Sequence, residues 1–275
     1  MEKFLTDMHT HSTFSHDGRN TAAEMLERAQ QMGVAFYGIS EHFDYDYDVE
    51  KLSPSQYKAP TSAMEEEYFH SARHLQEDYE GVMNVAVGAE YGYSEKAEVQ
   101  GRYAASYEKH HPDFVINSVH SINGVDYYYH VEEGEKGKLY RSYLRLIRKS
   151  LDAPYHYDIV GHIGYIARYV PYEDRSFNLQ QFGAEIDDIL KTIIQKDKIL
   201  EVNSSTKQLP QLCMPDVNIL QRYYDLGGRK VSFGSDAHDT SRILEKREEL
   251  VLALKQIGFT YLTVPFKGEH IKVEI

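Results

Sequence analysis

The chain has 275 residues, and its 43 acidic against 30 basic side chains leave a formal net charge of −13. Such a balance gives a poor grip on a phosphate backbone through counterion release, so nucleic acid is excluded as an expected partner, though a local site could still hold one phosphate group. The single cysteine, Cys213, excludes an intrachain disulfide and any cysteine-based zinc module, so a bound metal must be held by nitrogen and oxygen.

The N-terminal "MEKFLTDMHTH" has no charged-then-apolar leader, and no run approaches about 18 apolar residues, so a soluble cytoplasmic protein without membrane contact is expected. In chain order the β-rich runs are "KFLTDMH", "AFYGISEH", "MNVAVGAEY", "DFVINSVH", "DIVGHIG", "KILEVNSS" and "RKVSFGSDAH". The first is followed by "TAAEMLERAQQMG", a helix with a Thr21-x-x-Glu24 capping box and Gly33 at its C-terminal end. A second capping box, Ser62-x-x-Glu65, opens "SAMEEEYFHSARHLQEDYEG". Further helices are expected in "EKGKLYRSYLRLIRKSL", "LQQFGAEIDDILKTIIQKD", "PDVNILQRYYDLGG" and "SRILEKREELVLALKQIG", and "TYLTVPFKGEHIKVEI" adds terminal strands or packs a barrel end. Strand alternating with helix, with no long linker, predicts an α/β fold of parallel strands in a single domain over residues 1–275. Two insertions, "FDYDYDVEKLSPSQYKAP" and "INGVDYYYHVEEGEKG", fall after the second and fourth strands, at the end where such folds build their sites.

The strand ends share a chemistry. His9 and His11, then His42, Glu90, His120, His162, Asn203, and Asp236 with His238 each close a β-rich run, and Asp17 sits in the turn after the first pair. Alternating side chains share one face of a strand, so His9-x-His11 and Asp236-x-His238 can each present two donors to one place. A lone histidine at a strand end is ordinarily structural, but separate structural histidines have no reason to gather at one edge. Nitrogen and carboxylate donors without thiolate suit zinc, manganese or iron. Asn203 apart, these nine residues exceed the four to six ligands of one ion, so two or three metals with a bridging carboxylate are expected.

The motifs "DMHTHSTFSHDG", "GISEHFD", "VGAEYGY", "NSVHSING", "VGHIGYIARY", "LEVNSS" and "FGSDAHD", in this order over residues 7–239, resemble the polymerase and histidinol phosphatase (PHP) domain family, and within it the monofunctional histidinol-phosphate phosphatases. The resemblance implies a distorted seven-stranded (β/α) barrel with a trinuclear site at the C-terminal strand ends. By that pattern His9, His11, Glu90 and Asp236 hold one metal, Glu90 bridges to a second on His120 and His162, and Asp17, His42 and His238 hold a third. Glu41 stands where many members have Asp, and "GHIG" lacks an Asp that often follows; His16 competes for the third metal. The implied activity is hydrolysis of L-histidinol phosphate in histidine biosynthesis, with a metal-bridging hydroxide as nucleophile and no phospho-enzyme. Glu41 and His238 are the candidate proton donors to the leaving group. Arg168 is the candidate phosphate fork, with Arg242 second and with Asn203 and Glu41 as further substrate contacts. Glu201 is placed to hold a ligand histidine or substrate. Asp44, Asp46 and Asp48 with Tyr45 and Tyr47 offer an acidic, aromatic rim for a cationic substrate. Another small phosphomonoester or a nucleotide as substrate, and a non-catalytic metal-binding module, are the competing readings. Oligomeric state is not legible.

Overall fold

Parallel β-strands twist and need helices on their outer face, and the chain meets that need by alternating the two. The computed structural model describes residues 4–46, 62–131, 134–177 and 179–275. The elements run β1 (Leu5–Asp7), α1 (Ala22–Gln31), β2 (Val34–Phe43), α2 (Ser62–Asp78), β3 (Asn84–Gly92), α3 (Ala97–His110) and β4 (Phe114–Ser118). A small hairpin of β5 (Ser121–Ile122) and β6 (Val125–Asp126) follows, then α4 (Lys136–Ser150), β7 (Ile159–Val160), a single 3₁₀ turn (Tyr165–Arg168), α5 (Leu179–Gln195) and β8 (Ile199–Asn203). The chain ends with α6 (Val217–Asp225), β9 (Val231–Gly234), α7 (Arg247–Ile257) and the pair β10 (Tyr261–Phe266) and β11 (Glu269–Glu274).

Seven strands form one parallel sheet in the order β1-β2-β3-β4-β7-β8-β9. Its two edges meet just past β1 and β9. Met8 N donates to Phe233 O at 3.0 Å, Asp236 N to His9 O at 2.8 Å and His11 N to Ala237 O at 2.8 Å, with a parallel bridge between Thr10 and Ala237. The result is the nearly closed seven-stranded barrel expected from the sequence. Inside it, Phe114 is fully buried and fills the space above Gly88, where a Cβ would come within 2.4 Å of the ring. Met8, Ile116, Ile159 and Ile199 complete this lower core, and the β10–β11 hairpin covers it with Val264 and Val273.

Local chemistry explains most boundaries. In α1 the Thr21 hydroxyl accepts from Glu24 N at 3.3 Å while Glu24 Oε2 accepts from Thr21 N at 2.7 Å, and Gly33 supplies φ +75° beyond the last turn. The Ser62 side chain, and with it the second expected capping box, lies outside the described residues. Helix α3 was not expected: Gly101 sits inside it, no side chain caps it, and it buries only Val99, Tyr103 and Ser106. The helix read from Ser241 begins at Arg247. The preceding residues are drawn instead into turns with positive φ at Leu244 and Lys246, where Leu244 N donates to Asp7 Oδ2 at 3.0 Å. In the second insertion, Asn123-Gly124 with φ of 53° and 78° makes the β5–β6 hairpin turn. No described helix is long and apolar enough to cross a membrane.

Candidate active site

All seven parallel strands point their C-terminal ends to the same side, so residues that close them converge. Thr10 locks the first pair in place: its hydroxyl donates to Gly38 O at 2.7 Å, and its backbone N to Ser40 Oγ at 3.1 Å. With Thr10 held outward, His9 and His11 both face the barrel mouth. Asp236 takes φ +53°, a left-handed conformation tolerated because its backbone N is fixed on His9 O, and this turns its carboxylate toward the same point.

Three donor clusters result, and the expected ligands all fall into them. His9 Nε2, His11 Nε2, Glu90 Oε2 and Asp236 Oδ1 form one, with separations from 3.0 Å between the two imidazoles to 3.9 Å between His9 and Asp236. The second joins Glu90 Oε1 to His120 Nε2 at 3.0 Å and His162 Nε2 at 2.8 Å. In the third, His238 Nε2 stands 3.2 Å from Asp17 Oδ2 and 3.4 Å from His42 Nε2. Glu90 thus touches the first two clusters with different oxygens, and its Oε2 lies 2.7 Å from His42 Nδ1 of the third. His16 Nδ1 lies 3.9 Å from Asp17 Oδ1, at the rim.

The donor set fits divalent metal ions. Imidazole nitrogens face one another in pairs at 3.0, 3.3 and 3.4 Å, an arrangement that repels unless a proton or a cation lies between the lone pairs. His162 Nδ1 is buried with no hydrogen-bond partner among the described residues, and Glu90 Oε2 stands among three imidazole nitrogens, His42 Nδ1 at 2.7 Å, His9 Nε2 at 3.4 Å and His11 Nε2 at 3.6 Å, a crowding of buried polar atoms that an ion would satisfy. Burial alone would raise the Glu90 carboxyl, yet His120, His9 and His42 hold it well below the usual carboxylate range. Asp236, likewise buried, is held low by His11, His9 and Arg168. Burial, with His42 and His238 close by, keeps His11 well below the ordinary imidazole range, so it is neutral and has a lone pair to give.

A second ring of side chains orients the first. Glu201 places Oε1 2.5 Å from His9 Nδ1 and Oε2 2.5 Å from His162 N, and Asn203 Nδ2 donates to it at 3.2 Å. Gly234 makes this possible, since a Cβ there would meet Glu201 Oε1 at 2.3 Å. Asp44 Oδ1 lies 2.9 Å from His120 Nδ1, Ser118 Oγ donates to Glu90 Oε1 at 2.6 Å, and the Asp236 carbonyl is 2.9 Å from His238 Nδ1. Engaging the outer nitrogen of each ring turns the other inward, as in metal centres. Sequence reasoning anticipated Glu201 but missed Ser118, which stands two residues before His120 and therefore on its face of the chain.

Above the clusters lies a cavity of about 660 Å³ lined by both basic and acidic side chains. Arg168, Arg242 and Lys207 are among the basic residues of the lining, and both arginines lean on Ser205. The buried Arg168 guanidinium also donates to Asp236 Oδ2 at 3.0 Å and stacks over Tyr165, 5.2 Å from its ring centre. Asp126 Oδ1 accepts from the hydroxyl of the same Tyr165 at 3.2 Å, and Tyr128 and Tyr129 also line the cavity, with Lys207 Nζ 5.6 Å from the Tyr128 ring centre.

Several expected contacts sit elsewhere. Glu41 is absent from the cavity lining: both its oxygens are occupied by Ser12 and Ser15 in the turn after β1. Asn203 is fully buried behind the wall, where its Oδ1 accepts from Ser205 N at 2.9 Å and from Arg168 at 3.5 Å. Of the expected rim, Asp44 does line the cavity, with Oδ1 2.9 Å from His120 Nδ1, whereas Tyr45 is buried under the Arg102 guanidinium at 3.8 Å and Asp46 pairs with Lys96 at 2.5 Å. Tyr47 and Asp48 lie outside the described residues.

The chain belongs to the PHP domain family, whose model matches residues 7–205. Within the same class, it is 27% identical over 271 residues to the histidinol-phosphatase of Lactococcus lactis subsp. lactis, covering 96% of this chain and 95% of that protein. A Clostridium acetobutylicum protein named "Probable histidinol-phosphatase" is 27% identical over 234 residues, 84% of this chain and 86% of its own length. The crystal structure of the Lactococcus lactis histidinol phosphate phosphatase, complexed with zinc, L-histidinol and phosphate, superposes with a TM-score of 0.81 at 24% identity over 98% of this chain and 99% of that one.

Proposed function

We propose that the chain is a metal-dependent phosphomonoesterase that hydrolyses L-histidinol phosphate to L-histidinol and phosphate, a cytoplasmic step of histidine biosynthesis, with residues 1–275 acting as one catalytic unit. The observation that carries this reading is the cavity itself: histidines and carboxylates gathered as donor groups on its floor, with Arg168, Arg242 and Lys207 as well as Asp126 and tyrosines in its lining. An ester with a dianionic head and a cationic tail matches a lining that carries both signs of charge. The names of the relatives point to the same substrate.

His9, His11, Glu90 and Asp236 would hold one zinc or similar ion, Glu90, His120 and His162 a second, and Asp17, His42 and His238 a third. Bound there, divalent ions neutralise phosphate oxygens and lower the pKa of water toward neutrality. Arg168 and Arg242 bind phosphate oxygens and hold phosphorus over the clusters. Asp126 receives the ammonium or imidazolium of the substrate, and Tyr165 and Tyr129 flank it. Water adds its oxygen to phosphorus and the bond to the alkoxide oxygen breaks. Neither side chain read from the sequence as proton donor is free for that role. Glu41 faces Ser12 and Ser15, while His238 is held on Nδ1 by the Asp236 carbonyl and turns Nε2 to Asp17. We assign the proton on the departing alkoxide to water in the open cavity, which also takes up the proton lost by the attacking water.

The test is phosphate release from L-histidinol phosphate by zinc-loaded protein, beside His9→Ala and a panel of sugar phosphates and nucleoside bisphosphates. A strong preference for histidinol phosphate that is lost in His9→Ala is expected. Equal, weak turnover of the whole panel would assign the site to another phosphoester. No release with zinc, manganese or iron would leave a metal-binding protein without phosphatase activity.

A further inference from the structure

The turn between β1 and α1 carries a chain of short contacts that the reaction above does not use. Glu41 is 2% exposed and next in sequence to His42. Every one of its contacts comes from a donor. Ser12 N reaches its two oxygens at 3.0 and 3.1 Å, Ser12 Oγ donates to Oε1 at 2.6 Å, and Ser15 Oγ donates to Oε2 at 2.6 Å. A serine hydroxyl has one proton and two lone pairs. With the Ser15 proton given to Glu41, Ser15 Oγ accepts from both remaining neighbours, His42 N at 3.0 Å and His11 Nδ1 at 3.1 Å.

A His11 ring that donates from Nδ1 carries its lone pair on Nε2. That nitrogen is the one facing the first donor cluster, 3.0 Å from His9 Nε2, 3.5 Å from Asp236 Oδ1 and 3.6 Å from Glu90 Oε2. We propose that Glu41 and Ser15 are positioning residues which together hold His11 in its Nδ1–H tautomer, making Nε2 a metal donor, and fix the His42 backbone beside it. His9 and His120 are oriented by carboxylates in direct contact, Glu201 and Asp44; at His11 a hydroxyl is interposed and the carboxylate acts through it. One serine therefore serves two candidate ligand residues, one past the end of β1 and one in β2. The inference rests on metal ions being held at the cavity floor and is independent of which phosphate ester is hydrolysed.

The test reads zinc and the ring nitrogens, with no substrate present. In zinc-loaded protein carrying ¹⁵N-histidine, two-bond proton–nitrogen correlation is expected to show His11 Nδ1 protonated and Nε2 metal-bound. Ser15→Ala is expected to weaken zinc retention against a competing chelator about 10- to 100-fold, the usual effect of removing a group that orients a ligand. Since Glu41 acts through Ser15, the double variant Ser15→Ala/Glu41→Gln is expected to lose no more than the larger single loss. An unprotonated or metal-bound His11 Nδ1, unchanged zinc retention in Ser15→Ala, or additive losses would each overturn the proposal. If the variants fail to fold, the tautomer in the parent protein decides it. Protein that retains no zinc at all would overturn the metal-site reading; zinc held with the other His11 tautomer would overturn only this inference.

Discussion

Replacing Glu201 by Gln separates a ligand-orienting role from simple packing, because the change preserves volume and removes only charge and one acceptor. In the parent, Oε1 faces His9 Nδ1 and Oε2 faces His162 N, each at 2.5 Å, and the side chain is 1% exposed. A Gln amide can offer its oxygen to only one of these donors. Its NH₂ then confronts the other, leaving two buried donors head to head. If the backbone N–H of His162 keeps the oxygen, His9 loses the partner that fixes its Nδ1–H tautomer. A charge-assisted hydrogen bond contributes about 1.5–3 kcal/mol, and 1.4 kcal/mol is tenfold in an equilibrium constant, so zinc retention should fall roughly 10- to 100-fold. The metal-free protein should also lose about 2 kcal/mol, a drop in Tm of about 4–8 °C for a chain of this size. Competition with a chelator measures the first quantity and calorimetry of the metal-free protein the second. Zinc held as tightly by Glu201→Gln as by the parent would refute the assignment of Glu201 to His9, whatever happens to Tm.

Arg168→Lys should lower kcat/KM for histidinol phosphate by about 30- to 150-fold, since a lysine cannot span Asp236, Ser205 and a phosphate oxygen together; a change under threefold in steady-state assays would remove Arg168 from the phosphate contacts. Asp126→Asn should raise KM for histidinol phosphate about 10- to 100-fold while leaving p-nitrophenyl phosphate, which has no cationic tail, within about twofold; equal effects on both esters would place the substrate tail elsewhere. Far from the site, Asp158 accepts from Val115 N at 2.9 Å and lies 3.1 Å from His156 Nε2. Burial opposes its charge, yet His156, His270 and the Val115 amide hold the carboxyl well below its usual range. A carboxyl depressed in the folded state adds stability above its unfolded pKa of about 4 and loses it as pH falls further. Asp158→Asn should therefore melt below the parent at pH 7, with the gap narrowing below about pH 4; a gap that is constant with pH would show that the charge contributes nothing.

The candidate metal donors were legible because two regularities coincide in them. A parallel barrel gathers the C-terminal ends of its strands, and a two-residue spacing keeps His9 with His11 and Asp236 with His238 on one face. The same alternation separates Glu41 from His42. With His42 turned to the cavity floor, the preceding side chain must point to the opposite face, where it meets Ser12 and Ser15 instead of substrate. It also carries Asp44 inward, two residues after His42, so the supposed rim begins with a residue bound to His120. What periodicity could not supply is the partner across the barrel. Glu201 and His9 are 192 residues apart, and their contact depends on the near-closure of β1 against β9, with Gly234 leaving room between them. Helix α3 escaped for a different reason: its inner face is Tyr103 and Ser106 more than aliphatic residues, so no apolar stripe marks it. Yet that polar face matters, because the Tyr103 hydroxyl reaches Phe43 O at 2.8 Å and Gly92 O at 2.6 Å. It ties together the ends of β2 and β3 between which His42, Asp44 and Glu90 emerge. The element least visible in the sequence therefore clamps the part of the barrel whose residues were easiest to read.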